Sequence, residues 1–260
     1  MVFTAQTTIA CDHKNFHSIV DSHAYSFLND WNNGYPESRY NDILDTFISI
    51  YTPIIAQKGG TFHIQRDWSD GAVNAWAWRS GTEYHLEVPG GMSRYHLIIE
   101  EAFIMTICHE LGHLIGGSPA RNQEISYEGQ SDYFAASHCM KRMMMVIKPY
   151  AQLKPDSERD HHCGNNIVCH RTLAGARSVA DYFASLDGNK TLSLINEDPT
   201  VVKQTNDKHP ASQCRLDTMK RGYLCPVGFD DDVSYTDYRN GSCHREFFPD
   251  YARPACWFKP

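Results

Sequence analysis

The 260-residue sequence lacks any apolar run approaching the ~20 residues that cross a bilayer, so no membrane-spanning helix is expected. It lacks a basic excess: 24 Lys and Arg stand against 31 Asp and Glu, a formal net charge of −7. A partner held by positive surface, nucleic acid above all, is thereby excluded. The opening stretch MVFTAQTTIACDHKN lacks the apolar segment of an export leader. Internal repeats and low-complexity blocks are missing as well. What remains is globular, with 42% hydrophobic and 12% aromatic residues, enough to bury a sizeable core in a single domain over 1–260.

Cysteine is the residue present in excess, with nine copies. Close spacing pairs Cys163 with Cys169, Cys214 with Cys225 and Cys243 with Cys256 as disulfide candidates that staple a loop-rich C-terminal segment, 218–260. Such stapling implies export to a periplasmic or extracellular space, with the leader absent from this sequence. Cys108 and Cys139 read as small buried hydrophobes, and Cys11 either pairs with one of them or stays free.

The chemistry is concentrated in two short motifs. In HELGH, His109 and His113 are four apart, which on a helix sets both imidazoles on one face with Glu110 beside them. Two neutral imidazoles suit zinc, and the adjacent carboxylate suits the removal of a proton from water on the metal. The HExxHxxGxxH class is rejected, because Pro119 occupies the place of its third histidine and proline cannot ligate. The third ligand is instead expected from EGQSD, where Glu128 completes a His2Glu set for one Zn2+ ion and Asp132, one turn on, accepts the outer N–H of a ligand histidine. Ile98, Ile99, Phe103, Ile104, Ile107, Leu111 and Leu114 give the HELGH helix a wide apolar stripe, so it is expected to be buried.

Periodicity divides the rest of the chain. Residues 12–57 read as a helical region interrupted at Asn32-Asn33-Gly34-Tyr35-Pro36. Three short β-rich segments, 61–68, 72–79 and 84–88, suggest a small sheet of two hairpins. The HELGH helix is expected from about 96 to Gly116, and a second metal helix from Ser126 as N-cap to about Ile147. Met140, Met143, Met144 and Met145 on that helix read as core filling. A further helix fits 173–186, and beyond about 195 the chain reads as irregular. His161, His162 and His170 read as surface histidines flanking a disulfide, Tyr127 and Tyr133 as either donors to a substrate carbonyl or packing residues, and Asp230-Asp231-Asp232 as a solvated loop.

The pair of motifs, the text Val73-Asn74-Ala75-Trp76-Ala77 followed by Pro89-Gly90-Gly91, and His209-Pro210 with Arg215 six residues after the histidine resemble the M48 peptidases, a gluzincin family. The resemblance covers roughly 60–217, the expected catalytic core, without the membrane spans that several members carry. It implies a zincin-like α+β fold, a small mixed sheet packed on the HExxH helix, with His109, His113 and Glu128 as zinc ligands and Glu110 as the base. It implies further that His209 and Arg215 face the reaction centre, where either suits the stabilisation of an oxyanion. If 83–88 forms the edge strand of the sheet, Tyr84, His85 and Leu86 offer backbone groups to an extended peptide.

The expected function is therefore that of a zinc-dependent endopeptidase acting on peptide or protein substrates, by Glu-assisted attack of water on the scissile bond. Two rivals stand beside it: a zinc amidase of cell-wall peptides, which would use the same residues, and a secreted binding protein with a structural zinc site, whose mark would be loss of Glu110 or a fourth protein ligand.

Overall fold

The computed structural model describes residues 8–9, 32–188 and 191–260. The first helical run expected from sequence, through Phe16, Ile19, Val20, Ala24 and Phe27, lies outside these residues, as does Cys11. Among the described residues the architecture is mixed α+β, with a small four-stranded sheet and a separate two-stranded one, and the chain divides into two compact units, Met1–Ile98 and Ile99–Pro260. The expected core, 60–217, crosses this division, its strands lying in the first unit and the HELGH and EGQSD motifs in the second.

In the first unit, helix α1 (Glu37–Gln57) forms because Tyr40, Ile43, Leu44, Phe47, Tyr51 and Ile55 recur at helical spacing, and these are the residues it buries. The sheet comprises β1 (Thr8–Ile9), β2 (Thr61–Asp67), β3 (Trp76–Ser80) and β4 (Glu83–Pro89), in the order β1-β3-β4-β2. Phe47 of α1 meets Phe62 of β2 with ring centroids 6.2 Å apart, and Tyr40 donates its hydroxyl to the Val88 carbonyl of β4.

The sheet corrects two expectations. It is not a pair of hairpins: β3 and β4 are antiparallel, while β2 runs parallel to β4 in the register His63 to His85. The strand of Tyr84, His85 and Leu86 is consequently not an edge, because β4 is hydrogen-bonded on both sides. The cause is legible in its side chains, since Tyr84, Leu86 and Val88 are all buried, and a strand with so apolar a face takes the middle of the sheet. A short helix α2 (Gly90–Arg94) closes the unit.

The second unit is built on helix α3 (Glu100–Ile115), which carries HELGH. Every residue of it except Thr106 is buried, and Phe103, Ile104, Ile107 and Leu111 each contribute about 1.5–3 kcal/mol by leaving water. The helix starts later than expected, with Ile99 as a half-exposed N-cap. Its first turn is anchored by Arg171, which donates to Glu101 at 2.9 Å and lies 3.5 Å from Glu100. A two-stranded turn, β5 (Ala120–Arg121) and β6 (Ile125–Ser126), leads to α4 (Glu128–Phe134), a π-helical segment (Ala135–Met140) and α5 (Lys141–Val146). There follow α6 (Ser157–Cys163), α7 (Ile167–Leu186) and α8 (Ser212–Leu224).

Ser126 does not cap the EGQSD helix, whose N-cap is Tyr127, because its hydroxyl donates to the Gly117 carbonyl and its own carbonyl is engaged by His113. The methionines are core filling at 140, 143 and 144, whereas Met145 is exposed. The irregular reading beyond 195 misses α8 entirely.

Four disulfides hold this unit, Cys108–Cys139, Cys163–Cys169, Cys214–Cys256 and Cys225–Cys243. The spacing argument places only Cys163–Cys169 correctly. Cys214 passes over its sequence neighbour Cys225 to reach Cys256, so the Cys225–Cys243 bridge sits inside the larger loop. The reason is the helix that spacing did not show: Cys214 opens α8 and Cys225 follows its end, so the two are separated by the length of a helix. Cys108 and Cys139 are buried, as expected of small hydrophobes, but they are bonded to each other.

Candidate metal centre

His109 and His113 lie one turn apart on α3, and Glu128 opens α4. The two helices approach closely enough for this because Gly112, between the histidines, has no side chain. A Cβ there would come within 2.8 Å of the Ser131 Cα. One donor atom from each of His109, His113 and Glu128 lies within 4.8 Å of the others, a grouping able to hold a metal ion. Glu128 Oε2 is 3.2 Å from His109 Nε2 and 3.6 Å from His113 Nε2. All three side chains are buried.

The outer nitrogens fix the tautomers. His113 Nδ1 is 2.8 Å from the Ser126 carbonyl, which can only accept, so Nδ1 carries the proton and the Nε2 lone pair is left for the centre. Ser131 Oγ lies 3.0 Å from the same Nδ1. His109 Nδ1 is held at 2.8 Å by Asp132 Oδ1. Asp132 is itself clamped by Arg215, which donates Nε to Oδ2 and Nη2 to Oδ1, both at 2.8 Å. The guanidinium in turn lies 4.3 Å over the ring of Phe183 on α7.

Electrostatics follow this chain of contacts. Burial raises the Asp132 carboxyl, but Arg215 and His109 outweigh it and hold its pKa at about 2. Burial likewise opposes charge on His109, whose pKa the Asp132 carboxylate nevertheless lifts to about 10. A divalent cation bound at Nε2 takes the place of that proton. Glu128 is lowered well below the usual carboxylate range, burial being outweighed by His113 and by hydrogen bonding to His109, His113 and His209. Glu110 moves the other way: burial raises it against the pull of His113 and His109. Its Oε2 is buried and has no hydrogen-bond partner among the described residues, so an acceptor is held ready beside the group.

No family model, curated protein or solved structure matches this chain. The arrangement is thus read from its own chemistry.

Of the two residues expected from the late segment, His209 reaches the group, with Nε2 3.1 Å from Glu128 Oε2. Its side chain is 39% exposed, whereas that of His113 is 1% exposed, so His209 stands at the solvent side. Arg215 sits behind His109, clamped on Asp132, with Nη2 3.4 Å from His109 Nδ1. Tyr133 is a packing residue, accepting from the Cys243 amide and donating to the Tyr251 carbonyl. Asp230 pairs with Arg142 and Asp231 accepts from the Gly228 amide, so that loop is structured by its acids.

Sequence reasoning missed several supports: the Ser126 carbonyl, Ser131, Phe183 and the wall behind Glu128. The wall is Trp257, which packs so tightly on α4 that a Cβ on Gly129 would lie 2.3 Å from its ring. Beside it, buried Arg253 donates to Gln130, to the Ser118 and Tyr238 carbonyls and to Ser242, while Gln130 donates to the Gly116 carbonyl. Ser131 lies within EGQSD and was open to suspicion there. A backbone carbonyl and an aromatic 74 residues from His109 leave no local signal.

Proposed function

We propose that the chain is a zinc-dependent peptidase of the gluzincin type, with the zincin-like fold and the export that the sequence leads one to expect. The observation that carries the reading is the convergence of two Nε2 atoms, each ring oriented by an acceptor on Nδ1, upon the carboxylate of Glu128. Here protons shared between the imidazoles and Glu128 hold these groups together, and a divalent cation takes the place of such protons. Three protein ligands of the types His, His and Glu leave a zinc coordination position open, as hydrolytic sites do.

His109, His113 and Glu128 would hold the ion, which when bound supplies Lewis acidity at a scissile carbonyl and lowers the pKa of water. Glu110 accepts the proton of the attacking water, and its raised pKa suits the return of that proton to the leaving amine. His209, at the solvent side, donates to the oxygen on which negative charge develops. Arg215 is a positioning residue that keeps Asp132 ionised against His109.

The test is elemental analysis together with peptidase assays on casein and on peptidoglycan. Wild type and Glu110→Gln are expected to carry one zinc each with equal melting temperatures, while hydrolysis falls by about 10²–10⁴ in the variant. Glu128→Ala is expected to lose the metal. Undiminished hydrolysis in Glu110→Gln rejects the base, and cleavage confined to peptidoglycan replaces the general peptidase with a cell-wall amidase.

A further inference from the structure

We infer that the Cys108–Cys139 disulfide is a positioning element of the metal centre, setting its affinity for the ion; this rests on the metal reading above. Cys108 directly precedes His109, and Cys139 lies in the π-helical segment that continues α4. The bridge spans 31 residues, and within that loop fall His109, Glu110, His113, Ser126, Glu128, Ser131 and Asp132. Thus the proposed ligands, the base and every acceptor that fixes a ligand tautomer are enclosed by one covalent ring. Both sulfurs belong to fully buried residues.

The ring acts on geometry because the other ties between the two helices, among the described residues, are non-covalent. Gly112 and Ser131 form a close approach, a Cβ on Gly112 coming within 2.8 Å of the Ser131 Cα, and the His109–Asp132, His113–Ser131 and Gln130–Gly116 hydrogen bonds flank this contact. Glu128 stands three residues before Ser131 and His109 three before Gly112, so a turn about this contact changes the distance between carboxylate and imidazole. The disulfide adds a covalent stop against such a turn, one helical turn before Gly112 on α3 and eight residues after Ser131 in the π-helical segment. The wider turns of the π-helical segment are where the chain departs from α geometry to reach that point.

The experiment compares wild type, Cys108→Ala/Cys139→Ala and the control Cys163→Ala/Cys169→Ala, whose bridge closes only 6 residues outside the ring. Zinc affinity is measured by competition with a chromophoric chelator, and ligand geometry by the visible spectrum of the cobalt-substituted protein. The expected result is a zinc Kd weakened about 10–100-fold, with an altered cobalt spectrum, in the first variant alone. Should the double alanine variant not fold, Cys108→Val/Cys139→Ala, which refills the volume, takes its place. Unchanged affinity and spectrum in a folded variant overturn the inference and leave the metal reading intact. Absence of zinc binding by wild type overturns both.

Discussion

At the residue scale the centre depends on a relay that ends at Arg215. Its guanidinium meets both oxygens of Asp132, one of those oxygens orients His109, and Nη2 itself lies 3.4 Å from His109 Nδ1, so a single buried cation sets the orientation of that imidazole. Removing one partner of such a pair is costlier than the pair is worth, because the other charge stays buried. Arg215→Ala is accordingly expected to lose about 3–5 kcal/mol in urea denaturation and to bind zinc more weakly. A loss under about 1 kcal/mol places Asp132 in contact with water and removes the relay. From sequence, Asp132 was identified by its spacing from Glu128, since a helix turn is a fixed length. Arg215 was identified by resemblance, and its partner was not, because a contact across 83 residues leaves no mark on local pattern.

At the scale of elements, legibility followed the polarity of what each helix buries. The HELGH helix and α1 were evident because they bury Ile, Leu and Phe at regular intervals. Helix α8 was invisible because it buries Arg215, Asp217, Thr218 and Lys220, and a helix that buries charges shows no apolar stripe. Those charges attach it to the segment before it: Glu197 receives Lys220 Nζ at 2.8 Å and Arg221 Nε at 3.1 Å. Burial pushes the Glu197 carboxyl up, and the hydrogen bonds from Arg221 and Lys220 bring it down further, from 4.5 to about 2. A depressed folded-state pKa contributes stability above the unfolded value and loses it as pH falls through the folded one. Wild type is therefore expected to exceed Glu197→Gln by about 1 kcal/mol at pH 7, after allowance for solvent screening of a partly exposed group, with the gap closing between pH 4.5 and 2. Denaturation curves at several pH values check this, and a gap of constant size excludes the ion pair as its source. The sheet was half legible for a related reason: alternation located the strands, but the parallel pairing of β2 with β4 is a choice of neighbour that alternation does not encode.

At the scale of the whole molecule, the described residues contain no helix long and apolar enough to cross a membrane, in keeping with the missing apolar runs. The disulfides in the C-terminal part of the chain were foreseen as a class and mispaired in detail, because spacing along a chain stands in for distance only where no helix intervenes. Each closes a loop and so restricts the unfolded chain, the longer loop more. Replacement of Cys225 and Cys243 by alanine is expected to cost about 3 kcal/mol, and replacement of Cys214 and Cys256 somewhat more, read from urea midpoints. The reverse order would mean that strain or packing, rather than loop length, governs the two bridges. Their nesting has a consequence of another kind. A single nick in the backbone anywhere between Cys214 and Cys256 severs nothing, since at least one bridge still ties the two ends together, and Trp257 remains tethered to the helix that bears Arg215. Neighbour-to-neighbour pairing would have let a cut between Cys225 and Cys243 set the indole adrift.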